Sequence, residues 1–423
     1  MMRFNHLALL SLLAAAPACR QPEAAPSYID PTAVDSSVRP QDDFFLYANG
    51  GWLKRTEIPA SQPAWGAIVT LTDQSLGRMH NILDSLSGVS GLKKGSIDQQ
   101  VADLYASVID SVGIEAKGLG PLKDDLDKIA AIGDVPGIFA EAAREYAQVG
   151  SPLFSFSVSA DDKNSSMEAV HFDQGGLGLP NKDYYFNQDT SIQAVREAYK
   201  TYMATVFILT GEDSLVATRD ASRVMDAEVA LAKISKAPVA LRDPNANYHR
   251  IPVSALPALT GGLPWKDLLR DLEVVQDTVL VGQPEFYKGL YEVLQHLPLE
   301  DWKAYLAFHL VDSYVAVLGH KVQDAHFAYA KLLSGQKQPQ ERWKRACRLV
   351  DQQLGDALGQ LYVQQYFPPA AKERMRQLVD NLQETYAEHI QSLDWMSDST
   401  KAKALVKLHA IAKKIGYPDK WKD

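Results

Sequence analysis

Residues Ser191–Thr210 read SIQAVREAYKTYMATVFILT, and within them Ile192, Val195, Tyr199, Tyr202, Met203 and Val206 recur at three- and four-residue spacing. That period puts all six on one side of an α-helix, which must bury them to be stable. Gly211 follows directly, and glycine accepts the left-handed backbone that commonly ends a helix. The arrangement returns after Pro368 and Pro369, where Met375, Leu378, Val379, Leu382, Tyr386 and Ile390 predict a second helix with one buried face. Further on, Ser397 or Asp398 can cap a helix carrying Leu405, Leu408, Ala412 and Ile415, with Lys413 and Lys414 in its last turn and Gly416 beyond. One segment has another period. Phe154, Phe156 and Val158 alternate with Ser155, Ser157 and Ser159, and a polar stretch from Asp161 to Ser166 leads into Ala169, Val170, His171 and Phe172. That alternation predicts a small β-hairpin on a mainly α body. No repeat of 20 to 50 residues appears, which argues against a solenoid.

The chain has 423 residues, 46% of them hydrophobic, enough for one large core or two moderate ones. Its 43 basic and 52 acidic side chains give a net charge of −9 with no long basic run, so a nucleic-acid partner is excluded as a class. After the first twenty positions no stretch approaches the ~20 apolar residues of a membrane span. At the N-terminus, Arg3, the apolar run Leu7–Ala16 and Ala16-Pro17-Ala18-Cys19 read as an export signal over residues 1–19. Cys19 directly after small residues resembles a bacterial lipoprotein signal, so lipidation at Cys19 and a lipid-anchored place in the cell envelope or periplasm are expected; ordinary cleavage nearby is the alternative. Residues 20–38, with several Pro and Ser, read as a flexible tether, and 39–423 as the folded domain. Cys347 is then without a partner and reads as a buried thiol.

Self-contained chemistry is hard to find. A hydrolytic zinc site often uses His-Glu-x-x-His, in which the i, i+4 spacing aims two imidazoles at one metal. None of the ten His residues precedes a Glu. His320, Asp324 and His326 come nearest, but the second His sits off the shared face, and His389 beside Glu388 fails because helix neighbours diverge by about 100°. No Cys-x-x-Cys or Gly-x-Ser-x-Gly occurs. Gly175-Gly176-Leu177-Gly178-Leu179-Pro180 follows a hairpin rather than linking strand to helix, so it reads as a turn and not a phosphate cradle. Asn164-Ser165-Ser166 matches a glycosylation acceptor, a match that a bacterial-type signal makes accidental.

The stretch Asp42-Asp43-Phe44-Phe45-Leu46-Tyr47-Ala48-Asn49-Gly50-Gly51-Trp52-Leu53-Lys54, followed by Ile58-Pro59, resembles the opening of the neprilysin and endothelin-converting-enzyme family of zinc metallopeptidases. Asp161-Asp162-Lys163-Asn164, Gly178-Leu179-Pro180 with Asp183-Tyr184-Tyr185, Arg342-Trp343-Lys344-Arg345, Leu361-Tyr362-Val363, Leu393-Asp394-Trp395-Met396 and Lys414-Ile415-Gly416-Tyr417-Pro418 extend the likeness in order, over roughly residues 36–423.

The resemblance implies the N-terminal helical lobe of a two-lobed, neprilysin-like enzyme that hydrolyses oligopeptides. In such an enzyme zinc acidifies a water and a Glu takes its proton. The zinc ligands implied by the family belong to a C-terminal catalytic domain, the expected partner of this lobe. The expectation is therefore a chain without catalytic or metal residues of its own, inactive alone and forming a wall of the substrate cavity. Many relatives carry an Arg two residues before a Gly, where its guanidinium can clamp a peptide's terminal carboxylate. Here Ala64 stands before Trp65-Gly66, which implies a weaker preference for free C-termini. Ala64, Trp65 and Arg342 are the cavity candidates, and Arg342 and Arg345 are expected to pair with carboxylates between lobes. Phe44, Phe45, Trp52, Tyr184 and Tyr185 are read as packing anchors. A different reading makes the chain a non-catalytic exported lipoprotein that captures peptides or glycans, and a third a regulatory remnant of the peptidase.

Overall fold

The computed structural model describes residues 30–150 and 152–422. The export signal, Cys19 and the first part of the expected tether lie outside the described residues. The helices of twelve residues or more are α1 (Phe44–Arg55), α2 (Ala67–Ser87), α3 (Ile97–Ile109), α4 (Val135–Tyr146), α5 (Thr190–Thr210), α6 (Ser214–Ile234), α7 (Pro284–His296), α8 (Leu299–Ser313), α9 (His320–Ser334), α10 (Arg342–Tyr366), α11 (Pro369–Ser392) and α12 (Asp398–His409). Acidic and hydroxyl side chains start several of them. Asp43, Ser96, Asp134, Asp213 and Ser397 each accept a backbone N–H of the first turn, satisfying donors the helix itself leaves open. The architecture is mainly α, as the apolar period predicts.

The chain divides into two compact units, residues up to Pro59 and residues from Ala60 onward. In the first, residues 30–38, read from composition as tether, are folded against α1. Asp35 N–H donates to the Tyr47 carbonyl (2.8 Å), Lys54 pairs with Asp35 (2.7 Å), and Arg55 reaches Asp30 (2.7 Å) and the Thr32 carbonyl (2.6 Å). Gly51 makes this approach possible, because a Cβ there would sit 2.4 Å from the Thr32 oxygen. Phe44 and Phe45 are 69% and 62% exposed, so they do not anchor packing here, and Trp52 is half-buried.

In the second unit, α5 packs on α6, α8 and α9, and its Val195, Tyr199, Tyr202, Met203 and Val206 enter the main core. It ends at Gly211 with φ of 110°, the conformation anticipated for that glycine. A second core joins α2, α3 and α10 through Leu76, Leu83, Val101, Tyr105, Cys347 and Val350. Cys347 is fully buried there, and burial pushes its thiol up to about 11, which leaves it inert.

The hairpin is present, but it belongs to a larger sheet. Strands β1 (Phe154–Asp161) and β2 (Asn164–Gln174) pair antiparallel, with Phe156 opposite Phe172 and Val158 opposite Val170. Two short strands, β3 (Arg250–Pro252) and β4 (Thr278–Val281), complete a four-stranded sheet in the order β1-β2-β4-β3, with β2 and β4 parallel. The polar stretch is mostly strand rather than loop. Asp161 makes the tight turn by accepting from the N–H groups of Lys163 and Asn164 and from the Tyr248 hydroxyl. Phe172 stands edge-on to Trp265, centroids 5.1 Å apart, and ties the sheet to the core.

Two expectations fail. Helix α11 forms, but Met375, Leu378, Leu382 and Tyr386 are 43–62% exposed, and none of its residues is buried. Helix α12 stops at His409, short of Lys413, Lys414 and Gly416. There the Gln383 amide donates to the Leu408 carbonyl (2.7 Å), and Lys413 reaches Asp380 and Gln383 on α11 instead of its own helix end.

Candidate functional site

Among the described residues no three His, Cys, Asp or Glu side chains come together in a way that could hold a metal ion. His320 lies at the start of α9 with its Nδ1 2.9 Å from Glu115, His326 stands edge-on to Tyr202, and His389 is exposed on α11. The donor set for a hydrolytic zinc is therefore not assembled by these residues, and no catalytic step can be drawn through it here.

What the sequence did not reveal is a buried polar cluster under the glycine-rich turn. Glu228, on α6, is 0% exposed. Its Oε2 accepts from the Tyr185 hydroxyl (2.6 Å), and its Oε1 from the Tyr199 hydroxyl (2.8 Å) and His309 Nε2 (2.9 Å). Tyr185 in turn accepts from the Leu179 N–H (3.0 Å), which locks the turn onto the cluster. A Cβ on Gly178 would stand 1.8 Å from the Tyr199 oxygen, so only glycine admits this approach. Burial first, and the Glu228 charge second, hold both phenols well above the ordinary tyrosine value, so they stay protonated donors. The cluster is a rigid brace joining α5, α6, α8 and the 175–180 turn. Glu228 interrupts an apolar row of Ala221, Val224, Met225, Leu231 and Ala232, and that interruption was the available signal.

Two loops of the second unit are bonded to each other. The Ala60 carbonyl accepts from the backbone N–H groups of Lys337 (2.9 Å) and Gln338 (3.0 Å), and the Ser61 carbonyl from the Gln336 amide (3.2 Å). These bonds strap the loop that leads into α2 to the loop that leads into α10. Ala64 is exposed and Trp65 half-buried. Neither α2 nor α10 has a side-chain cap. Trp343 stacks on His80 (4.6 Å), and Lys344 binds Asp73 (2.5 Å), which pins α10 to α2. Arg342 donates to the Val108 carbonyl (2.9 Å) and Arg345 to the Gln323 side chain. Neither meets a carboxylate among the described residues, and the pairing expected between lobes involves groups outside them.

The third feature is an open apolar groove. Arg374, Met375, Leu378, Asn381, Leu382 and Thr385 line a depression of about 410 Å³ along α11. Trp395 and Val406 stand exposed nearby in sequence. Exposed apolar grooves of this kind are typical of surfaces that bind a ligand or another protein. No described helix is long and apolar enough to cross a membrane.

Residues 40–418 match peptidase family M13. Endothelin-converting enzyme-like 1 of Rattus norvegicus is 29% identical over 406 residues, covering 91% of this chain and 51% of that protein. Endothelin-converting enzyme 1 of Cavia porcellus is 27% identical over 401 residues, 92% of this chain and 52% of its own. The chain thus spans about half the length of these relatives. Among solved structures, the Mycobacterium tuberculosis zinc metalloprotease Zmp1 bound to an inhibitor superposes with a TM-score of 0.87 at 34% identity, over 95% of this chain and 61% of that one. PepO from Lactobacillus rhamnosis shares the fold, with a TM-score of 0.80 at 22% identity, over 91% of this chain and 61% of its own.

Proposed function

The chain belongs to peptidase family M13, and from that premise we propose that it is the substrate-enclosing N-terminal lobe of a zinc metalloendopeptidase that hydrolyses oligopeptides. In this reading the zinc and the water-activating Glu are held by a C-terminal catalytic half, and the present residues supply the wall that admits short peptides. Export and lipidation at Cys19 would tether the assembly at the cell envelope. The observation that carries the reading is the bare apolar row of Met375, Leu378, Leu382 and Tyr386, a helix face patterned for burial with nothing on it.

The row gives a direct test. Changing Leu378 and Leu382 together to Asp should abolish co-purification with a catalytic half carrying His-Glu-x-x-His. Two leucines leaving an interface forfeit about 3 kcal/mol, or roughly 100-fold in affinity. Thermal unfolding of the lobe should barely move, because both side chains are already half exposed. Undiminished co-purification of the double variant would refute the docking role.

Substrate choice is tested at Ala64 on the reconstituted enzyme. Ala64→Arg should favour free-acid peptides over their C-terminal amides by about tenfold in KM, the worth of one charge-assisted contact. If both peptide classes are cleaved as before, position 64 does not read the C-terminus.

A further inference from the structure

We propose that Arg342 and Arg345, backed by Arg348, form a seat for a carboxylate of the bound peptide, an inference that rests on the peptidase reading above. The three arginines follow one another at three-residue spacing on the first turns of α10, so they share one side of the helix. The Nε–H of each is buried and has no acceptor. Half-buried arginines elsewhere in the unit are satisfied. Arg144 holds Asp125 (2.9 Å) and Glu141, Arg223 holds Asp220 (2.8 Å) and Asp301 (3.4 Å), and Arg196 donates to the carbonyls of Tyr184 and Asn187 (2.7 Å each). In this row, by contrast, no carboxylate among the described residues lies within ion-pair distance. Glu115 is the acidic group nearest in influence to Arg342, and it is taken by His320, whose backbone N–H lies at 2.5 Å and whose Nδ1 lies at 2.9 Å. Asp324 acts on Arg345 only at a distance.

An unneutralised pair of guanidiniums is unfavourable in a half-buried place. Burial, and then the charge of Arg342, hold Arg345 below the ordinary arginine value. An anion placed there would relieve both. The position adds to the attraction, because Glu341 leaves the α10 N-terminus without a side-chain cap, so its first N–H groups and the positive end of the helix face the same region. The charge of the ligand is limited by the rim. Glu115, Glu341 and Asp324 repel a dianion, which favours a carboxylate, whose two oxygens match the guanidinium fork, over a phosphate.

The test uses the full 423-residue chain and three probes: N-acetyl-dialanine as free acid, its C-terminal amide, and inorganic phosphate. Binding is followed through the Nε–H resonances of the arginines, assigned with Arg342→Gln and Arg345→Gln. The free acid should shift the Arg342 and Arg345 signals and the amide should not. Each Gln variant should weaken the acid about tenfold, Arg345→Lys should weaken it less, and Arg270→Gln, at an exposed pair elsewhere, should change nothing. The seat is refuted if acid and amide behave alike, if the acid does not bind, if phosphate binds in preference, or if the Gln variants bind as the parent does. Should a variant misfold, the contrast between acid and amide on the parent chain still decides. Undiminished docking in the Leu378 and Leu382 experiment with the acid still bound would overturn the lobe reading and leave the seat, and loss of docking with no binding of the acid would do the opposite.

Discussion

Replacing Glu228 with Gln should destabilise the lobe by about 3–5 kcal/mol, although the two side chains have nearly the same shape. In the parent, three donors converge on one carboxylate that is completely shielded from water: Tyr185, Tyr199 and His309. Carboxylate oxygens only accept, so every donor is matched. An amide has one accepting end. If its NH2 turns toward Tyr185, that hydroxyl, which already accepts from the Leu179 N–H, is left with a hydrogen and nowhere to place it. If the NH2 turns the other way, Tyr199 and His309 face a donor. Either orientation strands buried polar hydrogens in a low-dielectric interior. The 175–180 turn should loosen first, because Leu179 is held through Tyr185. Urea unfolding followed by far-UV circular dichroism measures the loss, and faster amide exchange at Leu179 locates it. A variant within about 1 kcal/mol of the parent would mean that the cluster is not the brace described here.

Such a brace could not be read along the chain, because its members are 29, 43 and 81 residues from Glu228. What was legible is local. The apolar period of Ser191–Thr210 marked α5 and its buried residues, since the same face that defines the period is the face that packs. The Phe154 alternation marked the hairpin for the same reason. Strand β4, four residues of Thr278–Val281, was not legible, because so short an apolar run fits a strand or a helix equally, and its parallel pairing with β2 is non-local. Helix α11 is the instructive case. Its period reported the helix correctly, but period reports only which residues share a side, and whether that side is covered depends on what lies against it. Arg342 and Arg345 were singled out by the family-like stretch they belong to. That each keeps a buried Nε–H without an acceptor among the described residues could be learned only from the fold.

Glu145→Gln should act in the opposite direction to the Glu228 change and raise stability, by an amount that depends on pH. Glu145, in the last turn of α4, is 1% exposed, and its Oε1 has no hydrogen-bond partner. Burial, and next the charge of Glu141, push its carboxyl up to about 8 from an ordinary value of 4.5. Arg144 offsets little of this, since it is committed to Glu141 and Asp125. A raised acid binds its proton more tightly when folded than when unfolded. Below pH 4.5 both states are protonated and the group is neutral to stability. Between there and about 8 the unfolded chain releases its proton while the folded one keeps it, so stability falls as pH rises, by at most about 1.4 kcal/mol per pH unit. Above 8 both are ionised and the penalty stays constant. Gln carries no proton to release, so the variant should match the parent near pH 4, pull ahead through the neutral range and hold a lead on the order of 2–4 kcal/mol from pH 8 upward. Urea midpoints of both proteins at pH 4, 6 and 8 test this. A difference that does not change with pH would show that Glu145 is ionised in the folded lobe throughout, with its charge met by a partner other than the carboxylates around it.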